Sequence, residues 1–511
     1  MIAKRSPKKV PKTAILLITP ETGRLPEGMC DLARYISGKS GGLGEVVTAL
    51  CEGLTERGIN CHLATLNLKK RFQKEGNIDE SEWREIRYQI DPERIHLVSS
   101  SIFADLPGAY SGNVMLTASE FQKQLINHVI KTVSAKNHGK LILHTHDWMA
   151  GGPVTAYAKS RGIPVLHTVH NVFTCNIPES MYLGVDLDQL DQNLYYSYED
   201  GNRCIDCQAT AIKSATLVNL VGHRFLEEIV EDYFQDRAII PDSVRREIKA
   251  KKDFDSALTV LNCPSLNMYP ESCSFLHRNF GADDDILEAK KDNLMEFQRR
   301  TGLNVDPNVI LLYWPSRLDP CQKGIELLED IALKFVIEHG DVQIAVVGDG
   351  IGGDKFHEEI MGRIACASQG KICYHRFNEE LSLLGFAAAN DVFGASLYEP
   401  CGQIDQLGNL FGATATNRDT GGYHDKIHEM KLRIDGAEKD SGNGFLFEDY
   451  DSGGLWYGLH KCVEFHRRPA EVRAPQLKRI MKEIRSCYKL DRMIDSYIKI
   501  YERLNGGVPL V

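Results

Sequence analysis

Several groups of residues in this chain combine types and spacings that chemistry can use. Glu399-Pro400-Cys401-Gly402 follows a short apolar run at 392–397, which sets a carboxylate beside a rigid, close turn. Arg317 and Lys323 follow another apolar run, 309–313, across a turn containing Pro320. Cations beyond the C-terminal end of a strand sit where α/β folds hold ligands. Two of them can neutralise a diphosphate leaving group, whose negative charge builds as a sugar bond breaks; a solvated surface pair is the equal alternative. Lys39-Ser40-Gly41-Gly42-Leu43-Gly44 joins a cation to three glycines at a strand-to-helix junction. Glycine lets a backbone approach a ligand closely, and a helix N-terminus offers unpaired N–H groups to an anion. The spacing is neither that of a P-loop nor that of a dinucleotide fingerprint, so a phosphate nest and a plain tight turn both stay open.

Further candidates are weaker taken singly. Thr420-Gly421-Gly422, after the run 413–416, offers a second backbone nest for an anion. His146-Asp147-Trp148 and His170-Asn171 each follow a strand end, where a histidine is more often structural than catalytic. Asp186-Leu187-Asp188 mimics a metal-binding Asp-x-Asp but lies in an insert far from any strand-end glycine motif, so no metal is assigned to it. Cys204 and Cys207 form a Cys-x-x-Cys with no second pair and read as incidental thiols on a helical segment.

The elements that must position these residues follow a strand, glycine turn, helix rhythm. Residues 14–19 form an apolar run of strand length. Val46, Val47, Leu50 and Leu54 recur at helical spacing up to Gly58, and Ile59, Cys61 and Leu63 alternate as in a strand. Strand-like runs return at 141–144 and 164–169 with a helical stretch between them. After an irregular, Pro- and Asp-containing stretch at 262–285 the pattern restarts: helix at 288–300, strand at 309–313, helix at 325–338, strand at 342–347. Alternation of this kind predicts parallel sheets in doubly wound α/β units. At 511 residues the chain exceeds what one core usually serves, so two domains are expected, with a boundary near residue 266. Met493, Tyr497, Tyr501 and Leu504 share one face of a last helix that must dock on something apolar.

Bulk properties exclude several classes. A net charge of -10 argues against a nucleic-acid binder. The basic run from Lys4 to Lys12 is short, contains Pro and has no apolar segment after it, and no stretch is long and apolar enough to span a bilayer. Fourteen cysteines, scattered without a dense framework, suit reduced thiols in a cytoplasm.

The order of the motifs points further than any one of them. Lys39-Ser40-Gly41-Gly42-Leu43 resembles the Lys-Thr-Gly-Gly-Leu signature of bacterial and plant glycogen and starch synthases. His144-Thr145-His146-Asp147-Trp148 is similar to their His-x-His-Asp-Trp, and Thr168-Val169-His170-Asn171 to their Thr-x-His-Asn. Ser316-Arg317-Leu318 with Gln322-Lys323-Gly324, then Glu399-Pro400-Cys401-Gly402 with Gln406-Leu407, then Thr420-Gly421-Gly422 complete the set in family order. The resemblance implies a retaining glycosyltransferase of the GT-B type: two Rossmann-like α/β domains facing across a deep cleft. Residues 1–266 would form the acceptor side and 267–490 the nucleotide-sugar donor side, with 491–511 a C-terminal helix crossing back to the first domain.

The same resemblance implies transfer of glucose from ADP-glucose, or UDP-glucose in some relatives, to the non-reducing end of an α-1,4-glucan. It implies no metal and no cofactor. Arg317 and Lys323 become the donor-diphosphate cations, joined by Lys39, Gly41, Gly42, Thr420, Gly421 and Gly422. His170 would line the glucose site, Asp147 the sugar or acceptor side, and Glu399 matches the family's essential carboxylate. This sequence departs from the pattern in four places: a longer stretch ahead of Lys39, one extra residue between Arg317 and Lys323, Asn262-Cys263-Pro264-Ser265 at the domain junction, and Gln403 after Glu-Pro-Cys-Gly. Rival expectations on the same fold are another retaining glycosyltransferase, a nucleotide-sugar 2-epimerase and a non-catalytic glucan-binding relative. The epimerase needs acid/base carboxylates beyond Glu399. The non-catalytic relative should have lost Lys39, Arg317, Lys323 or Glu399, and all four are present.

Overall fold

The computed structural model describes residues 12–26, 36–38, 41–89, 93–234, 239–264, 268–351, 355–431 and 441–510. Lys39, Ser40 and Ser265 lie outside the described residues. The chain divides into two compact units. The first comprises Met1–Val221, Glu227–Val260 and Leu490–Val511; the second comprises Gly222–Leu226 and Leu261–Lys489.

The first unit contains β1 (Ala14–Ile18), β2 (Cys61–Leu66), β3 (Ile95–Val98), β4 (Leu141–His146), β5 (Val165–Val169), β6 (Asn176–Pro178), β7 (Tyr196–Glu199), β8 (Asn202–Asp206), β9 (Leu217–Leu220) and β10 (Ala257–Thr259). Seven of them form one parallel sheet in the order β10-β9-β5-β4-β1-β2-β3. β1 lies between β4 and β2, with Ile15 opposite Ile142 on one side and Cys61 on the other. All five residues of β1 and all six of β2 are buried, as expected of strands covered on both faces. The alternation read at 59–63 is therefore incidental, because both sides of that strand are packed. β6, β8 and β7 form a separate antiparallel sheet that the sequence reading did not anticipate. These strands are short and partly exposed, so they leave no sustained apolar pattern.

The last helix, Leu490–Leu504, packs on the helix Gly42–Glu56 of this first unit. The two approach closely at Gly53, where an added Cβ would lie 1.9 Å from Ile494 Cδ1. Arg57 bridges to Asp491 at 2.7 Å. Its buried tyrosines also answer polar groups of the sheet: Tyr501 Oη lies 2.7 Å from His144 Nδ1, and Asn219 Nδ2 donates to Tyr497 Oη at 3.1 Å. The apolar stripe seen in the sequence is thus a docking face.

The second unit contains β11 (Ile310–Trp314), β12 (Val342–Val347), β13 (Ile372–His375), β14 (Asp391–Gly394), β15 (Thr414–Arg418) and β16 (Gly444–Phe447). They form a parallel sheet in the order β13-β12-β11-β14-β15-β16. Cores lie on both faces. Ile310, Leu312 and Trp314 of β11 join Phe335, Phe445 and Leu459 on one side, and Leu311 and Tyr313 join Phe297, Phe386 and Phe411 on the other. The helices Ile286–Thr301 and Ile325–Glu338 fall on the helical segments read from the sequence. No helix among the described residues is long and apolar enough to cross a membrane.

Candidate active site

In the second unit the loops beyond β11, β14 and β15 converge on Glu399. The Glu399 side chain is 8% exposed, and Lys323 Nζ lies 2.5 Å from its Oε2. The Ser396 hydroxyl donates to the same oxygen at 2.9 Å. Burial alone would raise the Glu399 carboxyl. The Lys323 ammonium, the Ser396 hydroxyl and the nearby Lys426 charge outweigh it and hold the group below its ordinary value, so the site keeps a carboxylate at neutral pH.

The extra residue between Arg317 and Lys323 is absorbed locally. Asp319 Oδ1 accepts the N–H groups of Cys321 and Gln322 at 2.9 and 3.0 Å, and its carbonyl accepts those of Lys323 and Gly324 at 2.9 and 3.0 Å. Gly324 then turns at φ +71°, where a Cβ would lie 2.4 Å from the Ala395 carbonyl oxygen. The Leu397 N–H donates to the Gln322 carbonyl at 2.8 Å, tying this turn to the Glu399 loop. Arg317 differs from Lys323. Its side chain is half exposed, with Nη2 3.2 Å from Gln322 Oε1 and 3.9 Å from Asp319.

Thr420-Gly421-Gly422 packs backbone to backbone against the Glu399 turn. A Cβ on Gly421 would lie 1.8 Å from the Glu399 carbonyl oxygen, and one on Gly422 the same distance from that of Cys401. The Gly422 N–H donates to the Glu399 carbonyl at 2.9 Å. These glycines are therefore required by close approach, and that N–H is already committed. Beneath the turn the buried Lys426 pairs with Asp405 at 2.8 Å and also donates to the Gly402 carbonyl. Ser396, Asp319, Asp405 and Lys426 were missed from the sequence. Only Ser396, three residues before Glu399, carried any local signal.

In the first unit β4 and β5 bring Asp147 and His170 together. Asp147 has φ +56°, a left-handed conformation uncommon outside glycine. Its Oδ1 accepts the backbone N–H of His170 at 2.6 Å and that of Asn171 at 3.2 Å. Asp147 thus shapes the turn that presents His170. Burial pushes its carboxyl up to about 7, the two N–H groups oppose the rise, and Glu21 adds to it. His170 Nε2 lies 3.0 Å from His146 Nδ1. Burial lowers both imidazoles, that of His170 to about 3, so His170 meets a partner as a neutral ring. Gly41 precedes the helix Gly42–Glu56, and its N–H donates to Glu21 Oε2 at 2.8 Å.

Asp186 accepts the Gln189 N–H at 3.3 Å, and among the described residues neither it nor Asp188 joins a group able to hold a metal. One such group exists among the described residues, buried Asp391, Cys462 and His466, whose candidate ligand atoms lie within 4.8 Å of one another. There Thr414 Oγ1 donates to Asp391 Oδ1 at 2.5 Å and sits 2.9 Å from His466 Nε2, remote from any loop named above. The Cys204–Cys207 pair straddles a strand and a helix start, since Cys204 lies in β8 and Cys207 opens the helix Cys207–Ser214.

Comparison with known proteins fits this geometry. Residues 33–239 match the starch synthase catalytic domain. Glycogen synthase of Clostridium botulinum (strain Alaska E43 / Type E3) is 25% identical over 494 residues, covering 91% of this chain and 97% of that protein. Glycogen synthase of Pseudothermotoga lettingae is 26% identical over 501 residues, covering 92% and 96%. Among solved structures, the catalytic domain of starch synthase IV from Arabidopsis thaliana, bound to ADP and acarbose, superposes with a TM-score of 0.74 at 18% identity, covering 96% of this chain and 99% of that one. Anabaena Alr3699/HepE in complex with UDP-glucose superposes with a TM-score of 0.54 at 14% identity. Two parallel-sheet α/β units are the architecture of the GT-B fold, which these solved structures share. Among proteins of that fold, the chain is similar to glycogen and starch synthases.

Proposed function

We propose that this chain extends an α-1,4-glucan at its non-reducing end with glucose from a nucleotide-glucose donor, ADP-glucose before UDP-glucose, with retention of configuration. The observation that carries this reading is the Lys323–Glu399–Ser396 cluster, a cation and an ionised carboxylate on converging strand-end loops. An ammonium has three N–H donors, of which one goes to Glu399, leaving two for a diphosphate oxygen. Arg317, half exposed, adds a fork suited to phosphate. Glu399 accepts hydrogen bonds from glucose hydroxyls and stabilises the positive charge that develops at the anomeric carbon. His170 offers a neutral imidazole to a sugar hydroxyl, and Asp147 acts through it as a positioning residue.

The phosphate roles of Lys39, Gly41, Gly42, Thr420, Gly421 and Gly422 rest on motif resemblance. A cytoplasmic location rests on the fourteen scattered cysteines. The deciding experiment offers radiolabelled ADP-glucose and UDP-glucose separately, with glycogen as acceptor. Incorporation from ADP-glucose at several times the rate from UDP-glucose is expected. No incorporation from either would overturn the assignment, and preference for UDP-glucose would reverse the donor.

A further inference from the structure

The buried group Asp391, Cys462 and His466 has no part in the chemistry proposed at Glu399. Asp391 opens β14 and pairs across the sheet with Thr414, the first residue of β15. The Glu399 loop lies beyond the other ends of these strands. Cys462 and His466 stand one turn apart in the helix Ser452–His466, so they share a face, and that helix packs on β15 and β16. All three side chains are buried, and a candidate ligand atom of each lies within 4.8 Å of the other two.

Hydrogen bonding leaves this group short of positive charge. The Thr414 hydroxyl has one proton, and it goes to Asp391 Oδ1 at 2.5 Å. The 2.9 Å contact between Thr414 Oγ1 and His466 Nε2 then requires the imidazole to donate, with its proton on Nε2. That tautomer makes Nδ1 a bare acceptor. Nδ1 of His466 and Oδ2 of Asp391 are both buried without a hydrogen-bond partner. What faces the Asp391 carboxyl is Thr414, Thr416 and Cys462, with no lysine or arginine among the described residues paired to it. A carboxylate in a dry core without a cation is costly, and so is an acceptor without a donor. One divalent cation answers both.

We infer that this group holds a structural zinc ion through Cys462 Sγ, a carboxylate oxygen of Asp391 and an imidazole nitrogen of His466. Thiolate sulfur and imidazole nitrogen suit zinc, whereas magnesium and calcium take oxygen ligands. On binding, Zn²⁺ displaces the Cys462 thiol proton to solvent. The thiolate and the Asp391 carboxylate then cancel its two charges beside a neutral imidazole. Zinc holds its ligand atoms about 3.3–3.8 Å apart, so the widest pair here has to close by at most about 1.5 Å. The ion would tie the last turn of the helix Ser452–His466 to the start of β14. Because the site is closed, the ion enters as the unit folds and a chelator does not reach it afterwards.

The test grows the full chain in zinc-containing and in cobalt-containing medium and dialyses it, folded, against EDTA. About one zinc per chain should remain by plasma mass spectrometry and be released when the chain is unfolded in the chelator. The cobalt protein should show a thiolate-to-cobalt charge-transfer band. Cys462→Ser should lower the retained metal about tenfold or more and abolish that band. Cys487→Ser, at an exposed thiol of the same unit, should change neither. A folded wild-type chain that carries no metal after growth in zinc would overturn the inference, whatever the variants do. So would a charge-transfer band that survives in Cys462→Ser, which would put the ion on another cysteine. None of these readouts uses glucosyl transfer, so the zinc site stands or falls apart from the reading of Glu399.

Discussion

Glu399 combines two opposing demands, burial that disfavours charge and partners that restore it. Replacing it with Gln keeps shape and most hydrogen bonding while removing the charge. We expect kcat to fall on the order of 10²–10⁴ with donor affinity changed only a few-fold, read by steady-state kinetics and donor-binding calorimetry on the same protein. Lys323 and Arg317 separate in a way their sequence did not foretell, since both were expected in an open cleft and Lys323 is largely buried against Glu399. Lys323→Ala should lower kcat/KM by about 10² or more. It should also destabilise the fold by about 3–5 kcal/mol, because it leaves a buried charge uncompensated. Arg317→Ala should show the kinetic loss with little change in denaturant midpoint; equal stability losses in the two variants would contradict the burial difference. Asp147 gives a pH signature. Folding raises its carboxyl from 3.8 to about 7, so the fold favours the protonated form. Its contribution is present in full below about pH 4 and is lost as pH rises through about 7. Asp147→Asn, which tolerates the left-handed backbone, should remove that part of the decline in chemical-denaturation curves across this range.

At the scale of elements, the second unit's site is a set of loop ends pressed together. Strand ends supply the positions, and glycines allow the contact. Gly422→Ala would force a Cβ into the Cys401 carbonyl, so activity should fall at least tenfold with the Glu399 loop displaced, as read by kinetics and increased proteolytic nicking near residue 400. Near wild-type turnover would show that the loops have slack. Much of this frame was legible beforehand: β1, β4, β5, β11 and β12 fall on strand-like runs of the sequence, and the helix Ile325–Glu338 falls where a helix was read. Motif order singled out Glu399, Lys323 and Arg317, of which Glu399 and Lys323 meet in the structure. The Asp319 turn, the Asp405–Lys426 pair and the committed amides of Gly41 and Gly422 were not legible, because each depends on which backbone atoms meet across loops far apart in sequence. The sheet β6-β8-β7 was missed for a different reason, its half-exposed strands having no burial to write into a pattern.

For the whole molecule, the transfer proposed above implies chemistry carried by protein charges alone. Transfer should therefore persist in excess EDTA; abolition with rescue by Mn²⁺ or Mg²⁺ would require a metal role and bring Asp186 and Asp188 back into question. The path of the chain has a consequence of its own. The first unit opens the sequence and is completed by Leu490–Leu504, which supplies Tyr497 and Tyr501 to Asn219 and His144. On the ribosome, those polar atoms of its sheet wait while the whole second unit is synthesised, a delay of about 10–50 s at ordinary elongation rates. The second unit, nearly contiguous in sequence, can be complete before the first. A nascent chain stalled before residue 490 should therefore expose the uncovered face of the helix Gly42–Glu56 to chaperones, and release of the final helix would be the event that ends that exposure.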